Sequence, residues 1–555
     1  MKSIKKYIMS LGVAAAALTM GSCTGDLDLT PIDPSSFNSS AFAEDPEGYM
    51  DRVLAEVYAS FAVHGPNNNS QVSGFDGGMS TYQRCLFNLQ EIPTDEACWL
   101  ASSDASLYNL TFGSISADND AIFGAYSRMI INVALCNSFI QTVQEGLFGL
   151  PENLQAKAAD AIRQCKILRS ACYYDMIDLF GSVPYADETV AIGTNAPQLS
   201  REQIFGYVTQ TLEEVVAEYG NSDELPAYGY VGKDVAQALL MRFYLNAEVY
   251  TGTPRWNDAL KYAKALIDSH QGKGFQGSGL TNSYLQNFGA NNRDYVTCKN
   301  NGRSEILWFI PMEYNKILSY GGASLMIRAM IEKTPENLAY FNVGNAWMCS
   351  KGRPEFVSRF EWNEPSRATS PDKRTALWKT SKDGFVFEMQ NTVQADWHNN
   401  GYETPKWLNR NVNDNGEVDM VNTPPSDNDG MNQTGYAVIR LAEAYLSAAE
   451  ACLRGAGSKA DALKYVNVIR QRAGLNAWNE GQLNLETLLD ERSRELYMEC
   501  TRRSDLIRNN KWISGYNWAW KGGTEQGGDL RSNANLYPIP SDIINQSSYQ
   551  QNPGY

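Results

Sequence analysis

The sequence predicts a mainly α-helical chain, with helical hairpins as the scaffold and long irregular insertions carrying the variable surface. Three observations predict it. Apolar residues recur at spacings of three and four over long stretches, which gathers them on one face of a helix. Two segments far apart in the chain share one helix–turn–helix build. Between and before them lie stretches rich in Gly, Asn, Pro and aromatic residues, a composition that interrupts regular structure.

The first element is a secretory signal. Lys2, Lys5 and Lys6 form a basic start, Tyr7 to Met20 is apolar, and Gly21 and Ser22 are small. That order describes an export signal, and the apolar run falls short of the roughly 20 residues a spanning helix needs. Cys23 follows directly and resembles the modified cysteine of the bacterial lipobox, with Met20 where that pattern usually has leucine. The alternative is an ordinary cleaved signal in which Cys23 has no role. Residues 1–22 are thus the expected signal, and 23–40 a lipidated start and polar, Pro-containing tether. Several acyl chains on one cysteine would anchor firmly, since one chain binds only marginally.

Cleavage there removes three lysines and moves the formal charge from −16 to −19. So acidic a chain is a poor partner for nucleic acid. Against 20% charged residues stand 12 Trp and 30 Tyr, with Asn, Ser and Gly crowding the loops. Aromatic faces and amides suit neutral polar ligands. Ten cysteines in an exported chain raise the question of disulfides. With Cys23 acylated the remainder is odd, no CxxC occurs, and Cys165 and Cys172 lie two helical turns apart, roughly 10 Å. Small buried apolar thiols are the expectation.

Residues 160–180 place Ile162, Cys165, Leu168, Cys172, Met176 and Leu179 on one helix face, ended by Gly181 and Pro184. Residues 201–218 form a second amphipathic helix. Lys233–Ser269 reads as a hairpin, with Ala236, Leu240, Tyr244 and Ala247 on one helix, a turn at 251–254, and Ala259, Ala263 and Leu266 on the other. Val438–Gly474 repeats the build with Leu441, Tyr445, Ala448 and Cys452, a turn at Gly455, then Ala462, Val466 and Ile469. Both resemble the tetratricopeptide hairpin of about 34 residues, here degenerate and separated by some 170 residues. Residues 62–120 and 271–437 are the irregular regions. They hold only short strand-like runs such as Glu305–Ile310, and insertions of this size are where binding surfaces are built.

Catalytic signatures are absent from the sequence. His64, His270 and His398 form no zinc pair, and there is no GxSxG or Walker A loop. Gly272–Gly277 fits GxGxxG but follows a helix instead of a strand, so it reads as a Gly-rich turn. Asn411–Gly416 resembles the start of a calcium loop, but Asn stands at its first position and Asn422 at its twelfth, where Asp and Glu are required. A polar turn without metal is expected, and a looser calcium site with Asp427 and Asp429 is the alternative. In 487–510, read as one charged helix, Glu491, Glu495 and Glu499 interleave with Arg492, Arg502, Arg503, Arg508 and Asp505. Neighbouring arginines hold carboxylates ionised, so an ion network is expected. That weighs against a glycosidase, which needs two carboxylates across an open cleft.

Several stretches carry a specific resemblance. They are Glu491-Arg492-Ser493-Arg494-Glu495-Leu496, Glu499-Cys500-Thr501-Arg502, Asp505-Leu506-Ile507-Arg508, Leu536-Tyr537-Pro538-Ile539-Pro540 and the closing Gln551-Asn552-Pro553-Gly554-Tyr555. Leu168–Tyr174 running into Phe180–Pro184, Arg440–Tyr445 and Leu27–Pro31 belong with them. In this order they resemble the SusD/RagB family over the whole mature chain, with Cys500 where the family usually has glycine. The resemblance implies a SusD-like fold, mainly α, with tetratricopeptide-like hairpins as scaffold and the ligand site on loop insertions. It divides the chain into a SusD-like region at 41–230, a hairpin at 231–270, an insertion at 271–437 and a C-terminal helical region at 438–555. It implies no enzyme and no cofactor. It implies instead a lipid-anchored protein of the outer membrane, facing the cell exterior. Such a protein captures an oligo- or polysaccharide and delivers it, as a lid, to a SusC-like TonB-dependent transporter. Asp26 and Asp28, close behind Cys23, suit the acidic surface-export signals of such lipoproteins. A peptide-capturing member is the alternative within the family; a glycoside hydrolase and a purely structural adaptor are the alternatives outside it. In glycan-binding relatives aromatic rings stack on sugars while acidic, amide and Arg groups bind hydroxyls. Asp76, Arg84 and Trp99 have that spacing here, Tyr320 and Trp347 complete the arc, and Tyr82 and Asp104 are neighbours.

Overall fold

The computed structural model describes residues 39–65, 72, 77–191, 194–363, 369–378, 402–427 and 431–555. Cys23, residues 24–38 of the expected tether, Asp76, His398 and Asp429 lie outside them.

Helices dominate. In chain order they open with α1 (Ser39–Glu44), α2 (Pro46–Ala62), α3 (Tyr82–Gln90), α4 (Ala105–Thr111), α5 (Asp120–Gly146), α6 (Glu152–Phe180) and α7 (Arg201–Tyr219). Then come α8 (Lys233–Leu245), α9 (Ala247–Thr251), α10 (Trp256–Ser269), α11 (Gly322–Arg328), α12 (Pro335–Phe341) and α13 (Pro354–Ser358). The C-terminal part holds α14 (Leu441–Ala451), α15 (Lys459–Arg472), α16 (Leu485–Leu496), α17 (Arg502–Arg508) and α18 (Ser541–Gln546). Six short strands make three antiparallel pairs: β1 (Ala97–Trp99) with β5 (Ser350–Gly352), β2 (Val183–Pro184) with β3 (Gln198–Leu199), and β4 (Ile306–Ile310) with β6 (Tyr436–Arg440).

The helix boundaries follow local chemistry. Gly181 ends α6 with φ +74°, which a side chain would resist, and a Cβ there would lie 2.7 Å from Leu536. Ser200 starts α7 through a reciprocal capping box with Gln203. The two predicted hairpins are present as α8–α10 and α14–α15, and they are neighbours in space: α10 packs on α14. The helices therefore stack without a break in the order α5, α6, α7, α8, α10, α14, α15, although the chain leaves the stack between Ser269 and Leu441. Alanines at 259, 263, 444, 448 and 462, all fully buried, let the backbones approach closely.

Two readings need correction. Residues 62–120 are not all loop: α3 lies within them and every one of its residues is buried. The charged stretch 487–510 is two helices, α16 and α17, broken where Met498 and Cys500 take φ of +61° and +63°. The break is stabilised by buried cations. Lys406 donates to the carbonyls of Glu495 and Tyr497 at 3.1 and 2.8 Å, and Arg440 to that of Glu495 at 3.1 Å. Those acceptors would otherwise be orphaned at a buried helix end.

Around the break lies the ion network. Arg440 spans Glu305, Glu495 and Glu499 at 2.7, 3.0 and 2.5 Å; Arg472 spans Glu305 and Glu495; Arg374 and Arg470 hold Glu491. All of these side chains are buried. Burial alone would push the Glu305 carboxyl up, but Arg472 and Arg440 outweigh it and hold it at about 2. The separated C-terminal motifs also meet. Tyr537 donates its backbone N–H to Leu179, and Asn552 donates its amide to Phe180 and Tyr537.

The nine cysteines from Cys85 to Cys500 are free thiols, eight of them buried. Gly272–Gly277 is a tight turn closed by the Gly272 N–H on the Gly277 carbonyl. Asn413 folds Asn411–Gly416 on itself by accepting from the N–H groups of Asn415 and Glu417. No cluster of three metal-ligating side chains occurs among the described residues.

Candidate functional site

The β1–β5 pair is the frame of the site. Trp99 stands opposite Ser350, and the Leu100 N–H donates to Cys349 at 2.8 Å. Buried ions fix β1 from behind. Arg502 grips Asp95 through two bonds of 2.8 and 2.7 Å, with Arg359 on the same carboxylate, and Ser493 donates to Glu96. Burial pushes the Asp95 carboxyl up, but these two arginines overcome it and hold it well below the usual range. Arg353 adds bonds to the carbonyls of Ala97 and Thr111. The C-terminal motif residues Ser493 and Arg502 thus anchor the strand that carries Trp99.

On this frame three of the expected residues come together. The Trp99 indole N–H donates to Asp104 at 2.9 Å, and the Arg84 guanidinium lies over the Trp99 ring at 4.5 Å. Arg84 is itself oriented by its bond to Asn88, one turn on along α3. Asp104 precedes α4 at the capping position, yet its carboxylate caps no N–H there and takes the indole instead. Trp99 is only 2% exposed, so within this trio Asp104 is the part that meets solvent.

Tyr320 and Trp347 form the second half, with ring centroids 6.4 Å apart, and both are half-buried. Arg328 positions Trp347: its carbonyl accepts from the N–H groups of Trp347 and Met348, and its guanidinium lies 5.9 Å from the ring. Met348 takes φ +50° between Trp347 and β5, a conformation that bulky side chains adopt at a cost. Next to Tyr320, Gly321 passes so close to Thr81 that a Cβ would lie 1.9 Å from its hydroxyl. Only glycine fits there, and the contact sets the Tyr320 segment against the start of α3, the helix of Arg84.

Tyr82 faces the other way. It is 1% exposed, packs on Phe61 and donates to Asp175 at 2.5 Å. It supports α3 from within the core and offers no surface to a ligand in this conformation. Two residues enter the site that the sequence reading did not place there. His64 stacks on Tyr320 at 6.3 Å and Arg328 lies under Trp347. Neither has a sequence signal, because each acts through a long-range contact.

Acid–base chemistry needs a titratable group within reach of the ligand. Glu91 and Glu96 are a mutually perturbing carboxyl pair, but both are buried beneath the site, with burial the main cause of their raised proton affinity. The helical scaffold presents rings, an arginine and a carboxylate around a short strand pair, groups that suit binding of a polar ligand.

Residues 344–555 match the model of the SusD family. The starch-binding protein SusD of Bacteroides thetaiotaomicron is 29% identical over 99% of both chains, and a SusD-like protein of Bacteroides ovatus is 23% identical over 74% of this chain and 70% of its own. Among solved structures, surface glycan-binding protein A from Bacteroides thetaiotaomicron in complex with laminarihexaose superposes with a TM-score of 0.66 at 19% identity, covering 91% of this chain and 99% of that one. A SusD-like protein from Bacteroides fragilis gives 0.64 at 19% identity, covering 95% and 100%. The structural likenesses establish the fold. Together with the sequence matches they make this chain similar, over nearly its whole length, to SusD-like proteins, among them one named for starch binding and one for surface glycan binding.

Proposed function

We propose that this chain binds a neutral glycan at the surface of the outer membrane and hands it to a SusC-like TonB-dependent transporter. The observation that carries the reading is the paired Tyr320 and Trp347 rings beside Arg84, Trp99 and Asp104, in a chain similar throughout to a starch-binding protein. Sugar C–H faces stack on rings, while Asp104 supplies an acceptor for hydroxyls and Arg84, behind it, holds the Trp99 ring. Asp76 completes the polar set in this reading. The protein is held by lipid on Cys23, consistent with the finding that no helix among the described residues is long and apolar enough to cross a membrane.

The test is calorimetry and affinity electrophoresis on the soluble form lacking residues 1–23, against polysaccharides, oligosaccharides and peptides. Binding of a glycan is expected, weakened at least tenfold by Trp347→Ala with the circular dichroism unaltered. Binding of peptides and no glycan would give the family's peptide-capturing role instead. Release of reducing sugar would overturn the non-catalytic reading. Co-purification of a large outer-membrane barrel checks the transporter.

A further inference from the structure

A second concavity lies next to the Tyr320 segment. It has a volume of about 220 Å³. Tyr58, Ala59 and Phe61 of α2, Tyr228 and Tyr230 of the loop before α8, and Trp308 of β4 form its walls. Between the two tyrosines Gly229 takes φ +82° and passes Pro311 so closely that a Cβ would lie 3.1 Å from it, which sets a tyrosine on either side of the turn. The Tyr58 and Tyr230 rings meet edge to face at 4.7 Å, and Phe61 meets Trp308 at 5.8 Å.

Two features identify its occupant. No charged side chain lines it, so it suits a neutral ligand. The Trp308 indole N–H and the hydroxyls of Tyr228 and Tyr230 have no hydrogen-bond partner among the described residues, whereas the Tyr58 hydroxyl is engaged by Gln164 and Val231. Rings with unused donors at their edges suit a ligand that is apolar on its faces and hydroxylated at its rim. Two of its lining residues also lie close along the chain to the site already described. Ile317 lines it three residues before Tyr320, roughly 10 Å of extended chain, and Ala62 lines it two residues before His64, which stacks on Tyr320.

We propose that this concavity is an accessory subsite for one neutral sugar ring of an oligosaccharide whose other end lies on Tyr320 and Trp347. The proposal rests on the glycan reading above. Its signature is length dependence: the subsite acts only on ligands long enough to span both places.

The experiment measures affinities of the soluble protein for maltoheptaose and laminarihexaose and for the corresponding trisaccharides. Two variants probe the subsite. Tyr230→Ala removes a wall, and Ala59→Trp, at an exposed position on α2, fills the space without touching the core. Each is expected to weaken the long ligand roughly tenfold and to leave the trisaccharide unchanged, while Trp347→Ala weakens both lengths. Long-ligand affinity equal to the parent's in both variants, with unaltered circular dichroism, overturns the subsite and leaves the glycan reading standing. Loss of barrel co-purification in Ala59→Trp with glycan affinity intact overturns it too and makes this a protein-docking face. Absence of binding by all four sugars at millimolar concentration overturns subsite and neutral-glucan reading together.

Discussion

At Cys500 the backbone φ is +63°, a left-handed conformation that favours glycine. A Cβ in the left-handed region costs about 1 kcal/mol or more. The thiol returns little, a long contact of 3.7 Å with the Tyr436 hydroxyl. Cys500→Gly is therefore expected to stabilise the fold by about 1 kcal/mol, read from the urea midpoint. Beneath the site, Asp175 makes a different prediction. Burial pushes its carboxyl up to about 7, only partly opposed by the hydrogen bond from Tyr82. The folded state therefore holds a proton that the unfolded chain releases near the ordinary value of 3.8. Stability from this group declines as pH rises between those two values and stays low above the upper one. Asp175→Asn should raise the melting temperature at pH 8 and change it little at pH 4. Equal shifts at both pH values would count against the buried-acid account. Arg84, Trp99 and Asp104 were legible as a group because they are close in sequence. The burial of Trp99 and the inward turn of Tyr82 were not, since each depends on what packs against it from α3 and α6.

Elements pack here through charge as well as through apolar faces. The α16–α17 break, β4, β6 and α15 meet at Glu305, Glu495, Glu499, Arg440 and Arg472, none of which is more than 5% exposed. Such a cluster is maintained only as a whole, because deleting one partner leaves an uncompensated buried charge. Arg440→Met is expected to cost about 3–5 kcal/mol, measured by denaturant unfolding, whereas an exposed pair such as Lys464–Asp461 is screened by solvent and its loss changes stability little. A loss from Arg440→Met as small as that of the surface pair would refute the network's role. The two helical hairpins were legible from their spacing of small and apolar residues. Their mutual contact was not, because some 170 residues of intervening chain carry no record of returning to the same place.

For the whole molecule, the arrangement of charge follows from the same network. Arginines 128, 328, 353, 440, 472 and 503 are each fully buried, and carboxylates such as Glu305, Glu495 and Asp178 are buried with them, so the acidic excess of the formal −16 lies on the surface. Such a surface favours solubility and a neutral ligand over an anionic one. The glycan reading also sets a condition on the anchor. Cys23→Ala should release a protein that still binds its glycan but no longer supports uptake, checked by fractionation and growth on that glycan. Retention in the membrane fraction without the transporter would refute the anchor.

Helix spacing, turn chemistry and the separated C-terminal motifs determine, from sequence alone, a mainly α-helical chain that resembles the SusD/RagB family. They suffice because each is a local pattern, readable within one element. Tertiary structure alone decided the rest. It brought α10 onto α14, broke the charged stretch at Met498 and Cys500, and set Arg502 and Ser493 behind the strand of Trp99. It also placed His64 and Arg328 against Tyr320 and Trp347, and gathered Tyr58, Tyr230 and Trp308 around one concavity. Each of these joins residues far apart in the chain, and their meeting depends on packing and buried charge, which no local spacing encodes.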